Sequence, residues 1–524
     1  MQIDLEQAPP GSEFQGDICV IGAGIAGLVL SQKLASYGFN IHLLEAGGPG
    51  LEQRSQDLYR GQMKGVFHQG TTEGRFRAYG GASTRWGGQL LSYPEEVFQE
   101  RPLFGNMGWP ITEAEVRPHY SEIFKIMGVN DLPFTDDILE SYGTRQAWQS
   151  PDVRVRLSKF APFGKRNLAK TLGKRCVASD RITVFFHANA TSIDLAPVQD
   201  RIESVTAKNY QGGRFKFTAR EYIVCTGTIE ASRLLLSSNT VQQAGVGNST
   251  DQVGRYFHDH LTVKAMTLGA ESLPAFTRYF APYFIKGTLH SPKLEATYSL
   301  QQKLGLPEVM AHFFIHEADD NEFALLRQVL VDLQRGKLAL KRISQVPLLL
   351  SGVAQMAYAL KVKGRRILSS QVKVTLNIET EQRPRADSRI QISDRLDAIG
   401  MPETIVDWKI SHEDGESLQR YAVVMDQYLA SLGMSRRHWK VSPQDPPQAW
   451  AQAGEDILHP MGGTRMGTSP EKSVVDRDLR VHGVANLSIA SCSVFPFGGS
   501  SNPTFTMMAL ALRLAQSLQQ RIRA

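Results

Sequence analysis

Cysteine is scarce in this sequence of 524 residues, with four widely scattered positions, Cys19, Cys176, Cys225 and Cys492. No two of them form a C-x-x-C pair, so we expect neither a disulfide framework nor a metal site. The first residues lack the basic and apolar regions of a signal peptide, which favours a cytoplasmic location. A content of 42% hydrophobic and 21% charged residues excludes collagen-like and wholly disordered chains.

The positive charge is concentrated in one segment. Residues 327–366 contain nine Lys or Arg and a single acid, Asp332, for a net charge of +8, whereas the whole chain carries +6. A basic block of this kind favours a local partner, such as a membrane surface or an acidic ligand. It argues against a chain that binds nucleic acid along its whole length.

The same segment contains 18 residues without a charge, 343–360, with leucines at helical spacing. This length reaches the lower limit for a membrane span. Polar residues interrupt the stretch, however, and both flanks are basic, so no charge asymmetry favours insertion. Two interpretations remain open: a helix that lies on an anionic membrane, giving peripheral contact, or leucines that pack inward while the cations face water.

A glycine-rich turn, GAGIAG, stands near the N-terminus in the order strand, turn, helix, strand and acid. In such units Gly22 would allow the tight turn, Gly24 would let the backbone approach a pyrophosphate, and Gly27 would let the helix pack on the strand. Glu45, 18 residues beyond Gly27, would accept hydrogen bonds from a ribose. The pattern predicts a dinucleotide site, with an ordinary βαβ turn as the alternative.

A second glycine loop, YGGASTRWGG, covers residues 79–88. Because few large side chains intervene, this loop could lie flat against a ligand and donate from its amides and hydroxyls. Taken alone, it could equally be a structural loop.

The remaining apolar runs predict two kinds of sheet. Residues 181–186 and 221–225 read as buried strands, and the second leads into a turn and helix at 226–236, so the nucleotide-binding fold resumes there. Between residues 261 and 410 the pattern becomes alternating, which predicts an antiparallel sheet. The alternating segments are 294–300, 309–317, 372–380, 389–393 and 404–410.

The C-terminal part carries the block HPMGGTRMG from His459 and the segment Asn502-Pro503-Thr504 before a final helix. With the N-terminal glycine turn, these motifs closely resemble the glucose-methanol-choline (GMC) oxidoreductases over nearly the whole chain. The resemblance implies an α/β protein, with a Rossmann-type FAD-binding domain and a substrate domain built on an antiparallel sheet with helices. The implied FAD-binding parts are 14–105, 181–262 and 453–524, and the implied substrate parts are 106–180 and 263–452.

The resemblance also implies a catalytic pair, His459 and Asn502, which stand 43 residues apart as in the family. A histidine with a pKa near neutrality is a suitable base for the hydroxyl proton of an alcohol. The amide of Asn502 cannot take that proton but can donate to the developing alkoxide. Hydride would then pass to the flavin, which carries the redox step.

The glycine loop resembles the G-G-x-S-T-H-W segment of pyranose 2-oxidases, whose histidine binds FAD covalently. Arg85 occupies that position here, so we expect noncovalent FAD. At Ser491 many family members have Asp, which departs from the pattern. The implied cofactor-binding residues are Gly22, Gly24, Ala26, Gly27, Glu45, Ala46, Gly80, Gly81, Ser83, Thr84, Gly88, Thr226, Gly227, Ser491, Cys492, Asn502, Pro503 and Thr504.

Several functions remain open. The leading hypothesis is oxidation of an alcohol hydroxyl, with a sugar or glycoside favoured by the pyranose-oxidase-like loop, and with dioxygen or another electron acceptor as co-substrate. The alternatives are an inactive flavin-binding interaction subunit, an oxidoreductase of a membrane-associated non-sugar alcohol, and an NAD(P)-dependent reductase. For His258 and His260 we expect a structural hydrogen-bonding role rather than metal binding.

Overall fold

The computed structural model of the protein describes residues 1–105, 107–142, 148–198, 200–316, 325, 328–329, 332, 346–358, 364–366, 368 and 372–523. The strands are β1 Gln2–Asp4, β2 Glu13–Gln15, β3 Ile18–Ile21, β4 Ile41–Leu44, β5 Gly61–Gly65, β6 Gln89–Leu90, β7 Val153–Phe160, β8 Ile182–Phe186, β9 Asn189–Leu195, β10 Ile202–Lys208, β11 Arg214–Thr218, β12 Glu221–Val224, β13 His260–Leu268, β14 Tyr283–Ile285, β15 Thr288–Ala296, β16 Val309–His316, β17 Lys373–Glu381, β18 Arg389–Leu396, β19 Pro402–Trp408, β20 Arg437–Trp439, β21 Glu455–Asp456 and β22 Leu487–Ile489.

Helices connect and cover these strands. They are α1 Ile25–Ser36, α2 Gln53–Asp57, α3 Glu95–Phe98, α4 Glu113–Val116, α5 Tyr120–Met127, α6 Phe163–Arg166, α7 Leu172–Ala178, α8 Thr228–Ser237, α9 Leu273–Tyr279, α10 Tyr298–Leu304, α11 Val346–Tyr358, α12 His412–Ser431, α13 Pro447–Gln452 and α14 Pro503–Arg523. Within the described ranges, none of them combines the length and apolar character needed to cross a membrane.

A six-stranded sheet forms the nucleotide-binding part, in the order β1-β8-β4-β3-β12-β22. All of its neighbours are parallel, and the central strand β3 is buried along its whole length. Since parallel strands end at the same edge, the segments after β3, β4, β12 and β22 meet there, and helices α1 and α14 pack together beside them. The Rossmann-type prediction is confirmed.

A nine-stranded sheet forms the second part, with the path β20-β13-β17-β16-β15-β7-β6 and with β14 and β21 beside β15 and β13. Its pairs are antiparallel, which confirms the prediction from the alternating pattern. One face is apolar, with Val263, Leu294, Ala311 and Leu376 in a shared core. The other face presents polar side chains and turns towards the region that holds His459.

Two smaller sheets complete the described fold: β2-β11-β10-β9 and β18-β19-β5. The second contains the predicted segments 389–393 and 404–410 in β18 and β19.

Some predicted domain limits differ from the structure. β1 lies in the parallel sheet although it precedes residue 14, and β13 continues through residue 262, where a domain limit was placed. The domain division therefore stays a prediction.

The alternating segment 294–300 was expected to be a strand throughout, and this is wrong for its second half. Strand β15 ends at Ala296, and α10 begins at Tyr298. Thr297 separates the two, because its side-chain oxygen accepts a hydrogen bond from Leu300 N at 3.3 Å and caps the helix. Most of the basic block 327–366 lies outside the described residues; within it, α11 confirms helix where the leucine spacing predicted it.

Candidate active site and cofactor cavity

A large cavity opens at the carboxyl edge of the parallel sheet, with about 1420 Å³ of empty space that includes open solvent. It runs from the N-terminal glycine turn to His459 and the start of α14. Of the residues predicted to bind the cofactor, those that line this cavity are Gly22, Gly24, Ala26, Glu45, Ala46, Gly81, Thr226, Gly227, Ser491, Cys492, Pro503 and Thr504. Most of the predicted set is thus brought together from six separate stretches of the chain.

The glycines of the first turn have different surroundings. Gly22 has a φ of +101°, which only glycine adopts readily. A Cβ on Gly27 would stand 2.0 Å from the Gly22 carbonyl oxygen, so Gly27 lets α1 pack against the turn. A Cβ on Gly24 would meet no atom of the described ranges within 4 Å. Gly24 therefore keeps open the space at the helix N-terminus, where a phosphate would approach the backbone.

Polar atoms in this cavity fit a dinucleotide. The buried carboxylate of Glu45 accepts hydrogen bonds from Ala23 N at 3.1 Å and from Gly47 N at 2.9 Å, while burial raises its pKa. A carboxylate has about four acceptor positions, so it can also accept from a ribose. The hydroxyl of Thr226 is buried, has no hydrogen-bond partner among the residues that the structure describes, and lies at the same cavity. These groups suit the FAD that the family resemblance implies.

Sequence reasoning missed a buried ionic cluster in the cavity wall. Glu230 accepts from Arg75 at 2.9 Å and from Arg77 at 3.1 Å, and all three line the cavity. Burial favours a raised pKa for Glu230, but Arg233, Arg75 and Arg77 outweigh it and lower the pKa to about 2. The two wall arginines therefore stand fixed where an anionic ligand group could reach them. In the sequence, the two arginines on either side of Phe76 could have indicated this cluster.

The second glycine loop touches the cavity only in part. Gly81 lies at the cavity, and a Cβ there would stand 3.0 Å from Gly24 Cα, so the two glycine segments pack together. Ser83 instead donates to Gly80 O at 2.6 Å and accepts from Leu168 N at 3.1 Å. Predicted cofactor residues outside the cavity lining are Gly27, Gly80, Ser83, Thr84, Gly88 and Asn502.

The predicted catalytic pair meets at the far end of the cavity. Asn502 precedes α14, and its side-chain amide Nδ2 donates to His459 Nε2 at 3.2 Å. The oxygen Oδ1 of Asn502 is buried and has no hydrogen-bond partner in the described part of the chain. Although Asn502 does not itself line the cavity, the contact places its amide beside a histidine that does.

His260 fixes the tautomer of His459. His260 Nε2 lies 3.0 Å from the carbonyl oxygen of Gly498, which can only accept, so this nitrogen carries the hydrogen. In the neutral ring Nδ1 is then an acceptor, and it lies 3.1 Å from His459 Nδ1. His459 therefore donates from Nδ1 and keeps Nε2, which faces Asn502, unprotonated.

Asp259 and His68 hold the loop before His459. Asp259 Oδ2 accepts from the His459 backbone N at 2.9 Å and lies 3.2 Å from His68 Nε2. His68, Asp259 and Asp456 are fully buried, and their ligand-type atoms lie within 4.8 Å of one another. Both carboxylates also accept from backbone N–H groups, so this cluster has a clear structural use. In the sequence, the HDH segment at 258–260 was the only indication of this cluster.

The surroundings of His459 keep its ring neutral. Burial, then the charges of His260 and Lys293, lower the pKa of His459 well below its usual range. A neutral histidine with an unprotonated Nε2 can accept a proton from a hydroxyl group.

Comparison with known proteins is consistent with this site. Residues 164–262 and 384–511 match the two GMC oxidoreductase family models, and residues 20–69 match an NAD(P)-binding Rossmann-like domain. The chain is 24% identical to a 6'''-hydroxyparomomycin C oxidase of Streptomyces lividus, over 97% of this chain and 92% of the relative. It is 21% identical to the fructose dehydrogenase large subunit of Gluconobacter japonicus, over 96% and 98%.

A shorter match is to a pyranose 2-oxidase. A pyranose 2-oxidase of Emericella nidulans is 31% identical over 26% of this chain and 23% of the relative. Among solved structures, a formate oxidase of Aspergillus oryzae has a TM-score of 0.60 at 16% identity, covering 98% of this chain and 100% of that chain. At that identity it shows the shared fold. The chain therefore belongs to the GMC oxidoreductases, which bind FAD and oxidise CH–OH groups.

Proposed function

We propose that this enzyme oxidises an alcohol to a carbonyl compound, with His459 as the base and Asn502 as the donor to the substrate oxygen. The observation that carries the proposal is the contact between Asn502 Nδ2 and His459 Nε2 at the end of the cofactor cavity. In this contact the histidine nitrogen accepts and the amide donates, so a hydroxyl that replaced the contact would find an acceptor and a donor side by side. Oxidation of an alcohol to a carbonyl compound needs an acceptor for the hydroxyl proton and a hydrogen-bond donor to the oxygen.

The side chains act in a defined order. His459 accepts the hydroxyl proton at Nε2, because its Nδ1 already donates to His260. Asn502 donates to the oxygen as negative charge develops there. Its hydrogen bond to His459 Nε2 then ends, because that nitrogen carries the proton and no longer accepts. FAD, when bound, supplies the acceptor for the two electrons that the alcohol loses. Gly24, Glu45 and Thr226 are the residues that would hold it.

Noncovalent attachment of FAD is part of the proposal. Arg85 occupies the position where the resemblance places a linking histidine, and its exposed guanidinium lies 5.3 Å from the ring centre of Phe76. A guanidinium is always protonated and does not form such a link. Acid precipitation of the purified protein should therefore release yellow FAD into the supernatant. Colour that stays in the pellet would contradict noncovalent binding.

The experiment for the function is anaerobic titration of the holoenzyme with alcohols and sugars, followed by the flavin absorbance. Bleaching by a primary or secondary alcohol is expected. Admission of dioxygen and then of a quinone to the reduced enzyme identifies the electron acceptor by return of the colour. Intact colour with every alcohol, in protein that a chemical reductant does bleach, would favour an inactive flavin-binding subunit instead.

A sugar or glycoside hydroxyl is the proposed substrate. The support is the similarity to a fructose dehydrogenase subunit over nearly the whole chain and to a pyranose 2-oxidase over 26% of the chain. The comparisons reported above offer no such support for a nucleic-acid partner. The cytoplasmic location stays a prediction. Comparison of hexoses with simple alcohols in the same titration tests this finer statement.

Peripheral membrane contact is a second proposal, supported by helix α11. Its residues 346–358 carry no charge, and Leu350, Val353 and Tyr358 are 65%, 50% and 47% exposed. In the sequence this helix is followed by Lys361 and Lys363. An exposed apolar surface next to cations matches an anionic lipid surface. A membrane-associated non-sugar alcohol would then be the alternative substrate.

Vesicle co-sedimentation tests the membrane proposal. The protein should pellet with anionic but not with neutral liposomes, and salt should release it. Leu350→Gln and the double substitution Lys361→Gln, Lys363→Gln should each weaken binding. Leu51 is also exposed but is distant in sequence from α11, so Leu51→Gln is the control and should not weaken binding. Absence of pelleting at low salt would contradict it.

A further inference from the structure

A short buried loop leads into Asn502 and helix α14. It consists of two glycines and two serines, residues 498–501, and we call it the GGSS loop. Gly499 has a φ of +55°, a conformation that favours glycine. Because the side chains of this loop are small or absent, they restrict its backbone little. The position of the loop therefore depends on hydrogen bonds to neighbouring elements.

Glu381, the last residue of β17, binds the backbone of the GGSS loop. Its Oε1 accepts from Gly499 N at 2.8 Å, and its Oε2 accepts from Glu308 N at 3.2 Å. The guanidinium of Arg101 donates to both oxygens, at 2.7 and 2.9 Å. A carboxylate has about four acceptor positions, so these four N–H groups occupy all of them. Glu381 thus has no position left for a substrate hydroxyl.

The surroundings keep Glu381 charged. Burial by itself would raise the pKa of Glu381, but the charge of Arg101 and the hydrogen bonds to the carboxylate outweigh it and lower the pKa. Arg101 is itself fixed, because its guanidinium lies 4.3 and 5.0 Å from the ring centres of Phe104 and Phe497. The bond from Gly499 N to this carboxylate is therefore charge-assisted, which makes it stronger than a neutral hydrogen bond.

Two residues that face each other on neighbouring strands hold the GGSS loop. His260 on β13 lies opposite Glu381 on β17. His260 Nε2 donates to the carbonyl oxygen of Gly498, and Glu381 accepts from the N–H group of the next residue. His260 also contacts His459 Nδ1 at 3.1 Å. One pair of sheet residues therefore holds both the ring of His459 and the loop that precedes its partner amide.

We propose that Glu381 is a positioning residue, whose hydrogen bond to Gly499 N, supported by Arg101, determines where the amide of Asn502 lies relative to His459. This inference rests on the proposed function. Glu381 touches neither of the two proposed reacting groups, so it acts through Asn502 alone. Its loss can therefore cost no more than loss of the amide itself, which is several-fold up to about 10³-fold.

Two double variants separate the acceptor of Glu381 from its ion pair. Removal of one partner would leave the other charge buried and unpaired, so both variants carry Arg101→Met. The Met variant adds Glu381→Met and has no acceptor for Gly499 N. The Gln variant adds Glu381→Gln, whose amide oxygen can accept from that N–H group.

The first measurement is the limiting rate of anaerobic flavin reduction by stopped flow. The compound among D-fructose, D-glucose and 1-hexanol that bleaches the holoenzyme fastest serves as substrate throughout. The Met variant should be slower than wild type by about 10- to 100-fold, because a small displacement of a reacting group is costly. The substrate concentration at half-maximal rate should change little, and the Gln variant should recover part of the rate. A wild-type rate in the Met variant, with Asn502→Ala still slow, would overturn this inference alone.

A double-mutant cycle with Asn502→Ala distinguishes positioning from a general structural role. In that background the amide is absent, so the Met and Gln variants should reduce the flavin at equal rates. A difference as large as in the presence of Asn502 would overturn the proposal. A wild-type rate in Asn502→Ala itself would contradict the proposed function of this residue, and the inference about Glu381 with it.

Glu221→Gln is the matched control, because it weakens a different attachment of the same helix. Glu221 is 7% exposed and pairs at 2.6 Å with Arg521, near the far end of α14. This variant should have a lower melting temperature and the wild-type rate of flavin reduction. A loss of rate equal to that of the Met variant would mean that any weakening of α14 slows the reaction, which would overturn the specific role of Glu381.

Hydrogen exchange gives a further readout that needs no substrate. The backbone amides of the GGSS loop should exchange faster in the Met variant than in the Gln variant, and equal exchange would contradict the contact. If the double variants do not fold, Glu381→Gln alone provides the test. It should slow flavin reduction when Asn502 is present and have little effect in Asn502→Ala, whereas equal losses in both backgrounds would overturn the proposal.

Discussion

The cofactor cavity and the polar face of the nine-stranded sheet are built in different ways. The cavity depends largely on backbone: a turn at Gly22 with positive φ, open space above Gly24, and strand ends that meet at one edge. The sheet face depends on side chains from separate strands, such as His260 and Glu379. A glycine turn leaves a local pattern in the sequence, whereas a set of side chains from distant strands leaves none.

The electrostatics of the two regions also differ. In the cavity wall, burial of Glu230 is outweighed by three arginines, which lower its pKa to about 2 and keep it charged. Around His459, burial and neighbouring positive charge lower the pKa and keep the histidine neutral. The first arrangement suits binding of a charged cofactor, and the second suits acceptance of a proton.

Replacement of His459 by Ala should have the largest effect on the rate of flavin reduction, because it removes the proposed proton acceptor. The cofactor cavity should stay intact, since its shape depends largely on the backbone. The rate of flavin reduction should fall by about 10²- to 10⁴-fold. Stopped-flow measurement without oxygen gives the rate. His438→Ala, at an exposed position of β20, is the control and should behave as wild type. A wild-type rate in His459→Ala would exclude it as the base.

Asn502→Ala should reduce the same rate less, by several-fold up to about 10³-fold, the cost of losing one donor to an oxyanion. Asn502→His restores an N–H group at the position and should recover part of the loss. Equal rates for the Ala and His variants would show that donation from this position does not contribute.

His260→Ala should cost up to about 10²-fold, because His459 would lose the partner that fixes its tautomer and orientation. His260→Gln supplies an acceptor near the same place and should recover activity. The pH profile separates positioning from simple loss of structure: loss of the neighbouring imidazole should shift the apparent pKa of the rate upward. An unchanged profile in a folded variant would contradict the role of His260.

The two glycines of the first turn provide a matched pair for the cavity. In Gly27→Ala the new Cβ would overlap the Gly22 carbonyl oxygen, so the free energy of unfolding should fall by about 1–3 kcal/mol. Gly24→Ala meets open space, so it should fold normally but bind FAD more weakly. Melting temperatures without cofactor and FAD content after purification give the two readouts. Full FAD content in Gly24→Ala would mean that no ligand approaches there.

The pH dependence gives the smallest expected change. His459 acts as a base only when it is deprotonated, and its folded pKa is lowered, so the base form persists below the usual value of about 6.5. The rate of flavin reduction should therefore stay constant as the pH falls through 6.5 and decline only in more acid solution. A decline centred near 6.5 would show that the histidine titrates normally.

Much of the fold and of the cofactor cavity could be predicted because the signals are local. The order strand, glycine turn, helix, strand and acid placed Gly22, Gly24 and Glu45, and all three line the cavity. The alternating pattern predicted the antiparallel sheet, but it failed after Ala296, where Thr297 caps a helix. Ser83 illustrates another limit: its hydroxyl serves the loop itself, and a motif does not state which way a hydroxyl points.

The sequence by itself determined the family and the glycine turn of the Rossmann-type fold, and it predicted His459 and Asn502 as a pair, because backbone geometry and motif order depend on neighbours along the chain. Only the tertiary structure decided which nitrogen of His459 is free, since that depends on His260, 199 residues away, and on the carbonyl of Gly498. It also decided that the charge of Lys293 acts on this histidine. Hydrogen bonds and charges act through space, so their effect appears only when distant strands are brought side by side.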